Sequence, residues 1–215
     1  DIRFIGNTAF KDRFLQSQSL FEGNFISNLF LGKNKYSKEK FESDLENLRN
    51  IYQDRGFFEF SIRSETVEMS EDKKDVVLTI TVFEGDRYRF GDIVTESFEA
   101  LPEAEMRALI TVIEGNLFSR YLIIESKLAI EEALANAGFA FAVVNPVPDV
   151  DDENRTVSFA FIVDLGAKTY VRRINITGNN ATQDIVIRRE MRQMEGAVYS
   201  RQKIRRSQER IQRLG

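Results

Sequence analysis

Aspartate, glutamate, lysine, serine and tyrosine remain as possible catalysts in this sequence, which contains no His and no Cys. Thiol and imidazole chemistry, disulfides and nearly every zinc or haem site are thereby excluded. The carboxylates lie on periodic polar faces, and no Gly-rich phosphate loop accompanies them. The acidic run 149–152 lacks the Gly and the terminal Glu of a calcium loop. We expect no catalysis, no metal and no cofactor. The charges are better suited to binding. Residues 171–215 carry 11 Lys and Arg against 4 Asp and Glu, whereas residues 1–170 carry 19 against 30. Such asymmetry suits an anionic partner at the C-terminal end, or a solvated helix surface. Arg188, Arg189 and Arg192 stand near Glu190 and Glu195. On a helix, 188 and 192 share a face, where ion pairs contribute only a few tenths of a kcal/mol each. The basic stretch Arg201–Arg213 could face anionic headgroups. A nucleic-acid surface is its rival, but stacking would need interleaved aromatics, and this stretch has none.

Stepping from charge to scaffold, 215 residues with 42% hydrophobic and 30% charged side chains make a folded chain. No apolar run approaches the roughly 18–20 residues of a membrane helix. The chain opens on Asp1 with no leader, which reads as a piece excised from a longer protein.

Three copies of one unit are visible. Glu-Gly recurs at 22–23, 114–115 and 195–196, and a helical run ends at each of Gly56, Gly138 and Gly215. Glu84-Gly85-x-x-Tyr88 echoes Leu165-Gly166-x-x-x-Tyr170, and Ile2-x-Phe4-x-Gly6-Asn7 echoes Ile174-x-Ile176-x-Gly178-Asn179. Each copy reads as a short strand (2–5, 90–95, 171–177), a first helix (11–21, 103–113, 182–194) closed by Glu-Gly, a second helix, and a hairpin. Phe41, Leu45, Leu48 and Tyr52 fall on one face of a 3.6-residue period. Phe58, Phe60 and Ile62 alternate with Glu59, Ser61 and Arg63 in a strand expected to run over 58–69, and Phe139, Phe141 and Val143 alternate likewise. The last strands carry Val76, Leu78, Ile80 and Val82, and Val157, Phe159, Phe161 and Val163.

The expected fold is therefore α+β: tandem β-α-α-β-β repeats over 1–88, 89–169 and 170–215, the last incomplete. In each, two helices cover one face of a three-stranded sheet. The strand beginning at Phe58 should put its apolar residues on the helix-covered face and Glu59, Ser61, Arg63 and Glu65 outward. Those outward residues are either simply solvated or border a backbone edge able to accept an added strand. Phe25, Ile26, Leu29, Phe30 and Leu31 form either an apolar contact patch or a helix extension packed on its own repeat.

With these motifs in hand, the sequence resembles the polypeptide-transport-associated (POTRA) domain. The resemblance rests on Val171–Asn180, on Arg188–Gly196, and on Gly6-Asn7 followed by 52–57. It implies the third, fourth and first part of the fifth such domains of an outer-membrane β-barrel assembly protein, held in the periplasm. The implied function is non-enzymatic: a scaffold for unfolded outer-membrane barrel proteins and assembly lipoproteins, preceding a membrane barrel of its own. The periplasmic part of a related secretion pore or autotransporter-assembly protein is the alternative. The resemblance assigns strand addition to Phe58, Glu59, Phe60, Ser61, Ile62, Arg63, Ser64 and Glu65. It assigns lipoprotein docking to Arg188, Arg189, Arg192 and Glu195.

Overall fold

The computed structural model describes residues 2–18, 35–69, 76–180 and 182–214. In chain order the elements are β1 (Ile2–Ile5), α1 (Asp12–Ser17), α2 (Lys35–Gln53), β2 (Ser61–Met69), β3 (Val76–Phe83), β4 (Arg89–Thr95), α3 (Glu103–Leu109), α4 (Arg120–Asn136), β5 (Val143–Asp151), β6 (Thr156–Asp164), α5 (Asp184–Glu190) and α6 (Arg201–Gln212). They group into two compact units. One comprises Asp1–Gly91 with Ile113–Tyr121 and Val150–Val157; the other comprises Asp92–Val112, Leu122–Asp149 and Ser158–Gly215. The α+β class and the two helix-bearing three-stranded sheets agree with the expectation from sequence.

In the first unit β3 is the central strand. It runs parallel to β1, with Phe4 opposite Ile80, and antiparallel to β2, with Val67 opposite Leu78. Joining two parallel strands requires a crossover, which the helices supply. Leu78, Ile80 and Val82 turn inward against Leu45, Leu48 and Tyr52 of α2, with Phe41 packed at the margin of that core. The Tyr52 ring stacks on Phe60 at 4.1 Å and meets Phe10 and Phe57 edge-on. Burial, and then the nearby Glu84 carboxylate, push the Tyr52 phenol up out of its usual range.

Several boundaries differ from the sequence reading. Phe58–Phe60 do not belong to β2. After Gly56, Phe57 N–H donates back to Tyr52 O and Phe60 N–H to Phe57 O. Two turns therefore precede the strand, and β2 starts at Ser61. The second repeat behaves alike, with Phe139 N–H on Leu134 O, Ala142 N–H on Phe139 O, and β5 starting at Val143.

The Glu-Gly pairs at 114–115 and 195–196 are not helix stops, and the pair at 22–23 lies outside the described residues. α3 ends at Leu109 and α5 at Glu190, where Ile110 and Met191 turn extended. Buried serines of the following helices hold these exits: Ser126 Oγ accepts from Thr111 N–H, and Ser207 Oγ from Arg192 N–H. Glu-Gly instead pairs with the start of the repeat, through Gly115 N–H on Phe90 O and Gly196 N–H on Val171 O. Gly-Asn serves a local turn, in which Asn7 and Asn179 each donate from Nδ2 to the carbonyl three residues on, at 3.0 Å. The second repeat lacks Gly-Asn and closes the same place by mutual bonds between Phe98 and Leu101. Residues 171–177, expected to be a strand, form none; among the described residues no strand lies beside them.

The connections between repeats follow one scheme twice. Within the first unit, Tyr88 N–H donates to Gly56 O and Tyr88 O accepts from Phe118 N–H. Within the second, Thr169 N–H donates to Gly138 O and Thr169 O accepts from Tyr199 N–H. The true counterpart of Tyr88 is therefore Thr169, not Tyr170, which corresponds to Arg89. Gly56 and Gly138 have φ of +97° and +108°, and a Cβ on either would meet the side chain at the equivalent positions Leu117 and Val198. At Gly115 (φ +81°) a Cβ would meet nothing within 4 Å. Gly115→Ala should therefore cost about 1–2 kcal/mol from the left-handed conformation alone. Gly138→Ala should cost clearly more, roughly 3 kcal/mol with the added overlap. Urea denaturation of the two variants measures the difference.

Candidate strand-binding edge and docking face

The order β1-β3-β2 leaves β2 at an edge of its sheet, and among the described residues no strand lies on its outer side. Its register is irregular. Ser61 pairs with Phe83 and Ile62 with Val82, but Ser64 pairs with Thr81 and Glu65 with Ile80. Arg63 is the extra residue of a bulge, and its guanidinium lies 4.7 Å from the centroid of the Phe83 ring. A bulge advances the alternation by one. Glu65 therefore shares the face of inward Ile80, and Ser64 points outward with Thr81. The expectation that Glu65 is outward is corrected on this point. Phe58 also departs from the expected helix-covered face: it is half-buried against Phe118, edge-on at 5.1 Å, and Tyr88 at 5.8 Å. Phe60 and Ile62 do join the core. Glu59, Arg63, Ser64 and Glu65 are exposed, and Ser61 is half-buried.

The second sheet, ordered β4-β6-β5, also has a hairpin strand at its edge, but β5 contains Pro146 and Pro148. Proline has no N–H and is confined to the unbonded side of an edge strand. Two prolines two residues apart point the same way, so β5 lacks two donors along its outer side. β2 reads Ser-Ile-Arg-Ser-Glu-Thr-Val-Glu-Met, with none missing. The sequence reading passed over this contrast, although the prolines were visible in it.

Of the proposed docking residues, Arg188 and Glu195 are brought together, chiefly by each other. Arg188 donates from Nε to Asp184 Oδ2 at 2.6 Å, and from its terminal nitrogens to Glu195 Oε1 and Ile174 O at 3.3 Å. Glu195 Oε1 also accepts from Ile174 N–H at 2.9 Å. The first repeat has a simpler version of the same tie, Gln16 Nε2 on Ile2 O, with the same 14-residue separation. Thus Arg188 and Glu195 hold the segment around Ile174 beside α5 while remaining half-exposed. Arg192 donates to the Arg189 and Met191 carbonyls, and Arg189 is exposed. The structure adds exposed apolar residues that sequence reading missed: Ile185 and Met194, 64% and 57% exposed beside these arginines. Ile185 lies on α5 and Met194 beyond its end, and neither exposure could be read from spacing. On α6, Arg205 pairs with Glu209 and Arg210 with Glu190, while Arg201, Lys203, Arg206 and Arg213 are exposed. Phe25, Ile26, Leu29 and Phe30 lie outside the described residues.

Helix-covered three-stranded sheets, repeated along the chain and joined by the same hydrogen bonds, define a tandem scaffold whose surfaces offer edges and faces for binding. The POTRA family, described as a surface antigen variable number repeat, matches residues 1–85, 88–166 and 169–215; the chain belongs to this family. It is 38% identical over 217 residues to outer membrane protein assembly factor BamA of Neisseria meningitidis serogroup B, and 35% identical over 217 residues to that of Neorickettsia risticii. Both alignments cover all of this chain but only 27% and 29% of those proteins. The solved structure of Haemophilus influenzae BamA POTRA3-5 matches with a TM-score of 0.82 at 29% identity, covering 100% of this chain and 84% of that one.

The tie at Ile174 should respond to acid. The Ile174 N–H, and then Arg188, hold the Glu195 carboxyl below its usual range. A carboxylate depressed in the folded state adds stability above its unfolded value, about 4.3, and loses it as pH falls through the folded value. Protection of the Ile174 amide, corrected for intrinsic exchange, should therefore hold at neutral pH and fade below about pH 4. Arg188→Glu should abolish that protection at neutral pH, and Arg189→Glu should leave it intact.

Proposed function

We propose that this chain is the periplasmic scaffold portion of an outer-membrane β-barrel assembly protein, that it performs no catalysis, and that it receives client strands along β2. The observation that carries the reading is the contrast between edges: β2 keeps its outward donors, whereas β5 lacks two of them to proline. Main-chain bonding gives affinity with little sequence preference, which suits a protein that handles many clients. The kinship with BamA proteins supports the same location and role. The repeats run over 1–88, 89–169 and 170–215, in line with the repeated junction bonds.

In this reading the α5 face, with Arg189, Arg192, Ile185 and Met194 exposed beside the Arg188–Glu195 tie, docks an assembly lipoprotein. The basic side of α6 faces anionic lipid headgroups near the protein's own membrane barrel. Nucleic acid is not a partner, since α6 has no aromatic residue for stacking.

Each net hydrogen bond contributes about 1 kcal/mol, and ordering a peptide opposes it. Binding of a single outer-membrane strand peptide should therefore be weak, on the order of 0.1–1 mM. Neighbouring residues of β2 alternate between bonding β3 and pointing outward. Of Glu65→Pro and Thr66→Pro, one should break the ladder to β3, and the other should keep the fold while removing an outward donor. In the folded variant, peptide-induced amide shifts along 61–69 should disappear. Shifts that persist there, or that map to the helices alone, would contradict strand addition.

A further inference from the structure

The repeated junction contains a pair of side chains that neither the family kinship nor the proposed function assigns. α4 starts at Arg120 after Ser119, and α6 starts at Arg201 after Ser200. The first N–H groups of a helix have no partner within it and need an outside acceptor. In α4 that acceptor is Asp54, two residues before Gly56 and therefore at the end of the preceding repeat's second helix. Its Oδ1 accepts from Tyr121 N–H at 2.7 Å and from Ser119 Oγ at 3.2 Å. In α6 it is Asn136, two residues before Gly138. Its Oδ1 accepts from Gln202 N–H at 2.7 Å and from Ser200 Oγ at 3.3 Å. The donors are the same in both cases: the hydroxyl of the serine preceding the helix and the N–H of the helix's second residue. At the first junction the site is reinforced, because Arg120 donates to Glu46 Oε1 at 2.5 Å and to Asn50 Oδ1 at 3.0 Å, both on α2.

At both junctions an acceptor from the end of the preceding repeat's second helix takes the second N–H of the helix, in addition to any bond the residue before the helix makes itself. Ser119 and Ser200 each donate a hydroxyl proton to the preceding repeat, while Ser200 Oγ also accepts from Lys203 N–H at 3.3 Å as the cap of its own helix. The two acceptors differ in charge, carboxylate and amide, so what the position requires is an oxygen. In the third repeat the equivalent position, two residues before Gly215, is Arg213, which has only donors and can cap no helix N-terminus.

We propose that Asp54 and Asn136 are the recognition residues of the array. Each ends one repeat's second helix in a surface that fits a serine-led helix N-terminus, and that surface completes the second helix of the following repeat. Each repeat is thereby coupled to the next through one acceptor oxygen, and Arg213 at the equivalent position of the third repeat offers none.

The test is site-resolved amide exchange on the 215-residue chain carrying Asp54→Ala, Asp54→Asn, Asn136→Ala or Asn136→Asp. Loss of a cap should accelerate exchange at the capped amide by about fivefold. Asp54→Ala should do so at Tyr121 and leave Gln202 unchanged; Asn136→Ala should do the reverse. Asp54→Asn and Asn136→Asp, which keep an oxygen in place, should stay within about twofold of the parent. Should Asp54→Ala fail to fold, Asn136→Ala and Asn136→Asp carry the same test at Gln202. The proposal is overturned if the alanine variants leave the following helix unchanged. It is equally overturned if they loosen only the helix in which they reside, or if the oxygen-keeping variants behave like alanine.

Discussion

Two backbone carbonyls, those of Gly56 and Gly138, carry the architecture. Each belongs to a residue at positive φ that ends a helix, and each accepts the N–H of Tyr88 or Thr169 where the chain passes on to the next repeat. The same peptide group thus closes a helix and fixes where the linker returns. Glycine suits both demands, because the conformation disfavours a Cβ, and one would crowd Leu117 at 3.1 Å beside Gly56 and overlap Val198 beside Gly138. From this point the rest of each junction follows in register: the carbonyl of Tyr88 or Thr169 receives Phe118 or Tyr199, and the Glu-Gly turn closes on Phe90 or Val171. At the first junction Tyr88 is further held by its own hydroxyl, which donates to Asp152 at 2.7 Å. That bond, with burial, pushes the Tyr88 phenol up to about 12.

A fixed linker register has a consequence for binding surfaces. A sheet of only three strands leaves two edges, and a chain of such sheets multiplies them. Unprotected edges invite unwanted pairing. The chain answers differently at different edges: prolines in β5, a glutamine side chain on the Ile2 carbonyl of β1, and the Arg188–Glu195 pair on both polar groups of Ile174. Among the described residues β2 has only a bulge, at Arg63, near its start. Its remaining length from Ser64 onward is a regular ladder on one side, and among the described residues no strand lies on the other. This selective lack of protection is what gives the strand-addition reading its physical basis.

Much of the fold was legible because burial imposes periodicity. The α2 face Phe41, Leu45, Leu48, Tyr52 and the alternations of β3 and β6 were readable, since a residue facing the core repeats at the period of its element. The features that escaped are those in which tertiary contacts override local pattern. Phe58 alternates correctly with Phe60 but packs on Phe118, a residue 60 positions away. The bulge at Arg63 reversed the direction of Glu65, and nothing local announces one extra residue. Glu-Gly resembles a helix stop, yet the glycines at 115 and 196 bond Phe90 and Val171, each 25 residues earlier. At the candidate site, residue types were legible and partners were not. Arg188 and Glu195 were foreseen as neighbours, but their shared hold on Ile174 required coordinates.

The most direct measurement of the central claim uses the absence of cysteine. A single cysteine placed at Thr66 on β2, or at Asn145 on β5, is the only thiol in the chain. Each variant is mixed with an outer-membrane strand peptide carrying one cysteine, and disulfide formation is followed under equal oxidising conditions. Strand addition at the open edge predicts rapid, register-dependent cross-linking at position 66 and only background reaction at 145. Equal rates at the two positions, or faster reaction on the proline-bearing edge, would contradict the account.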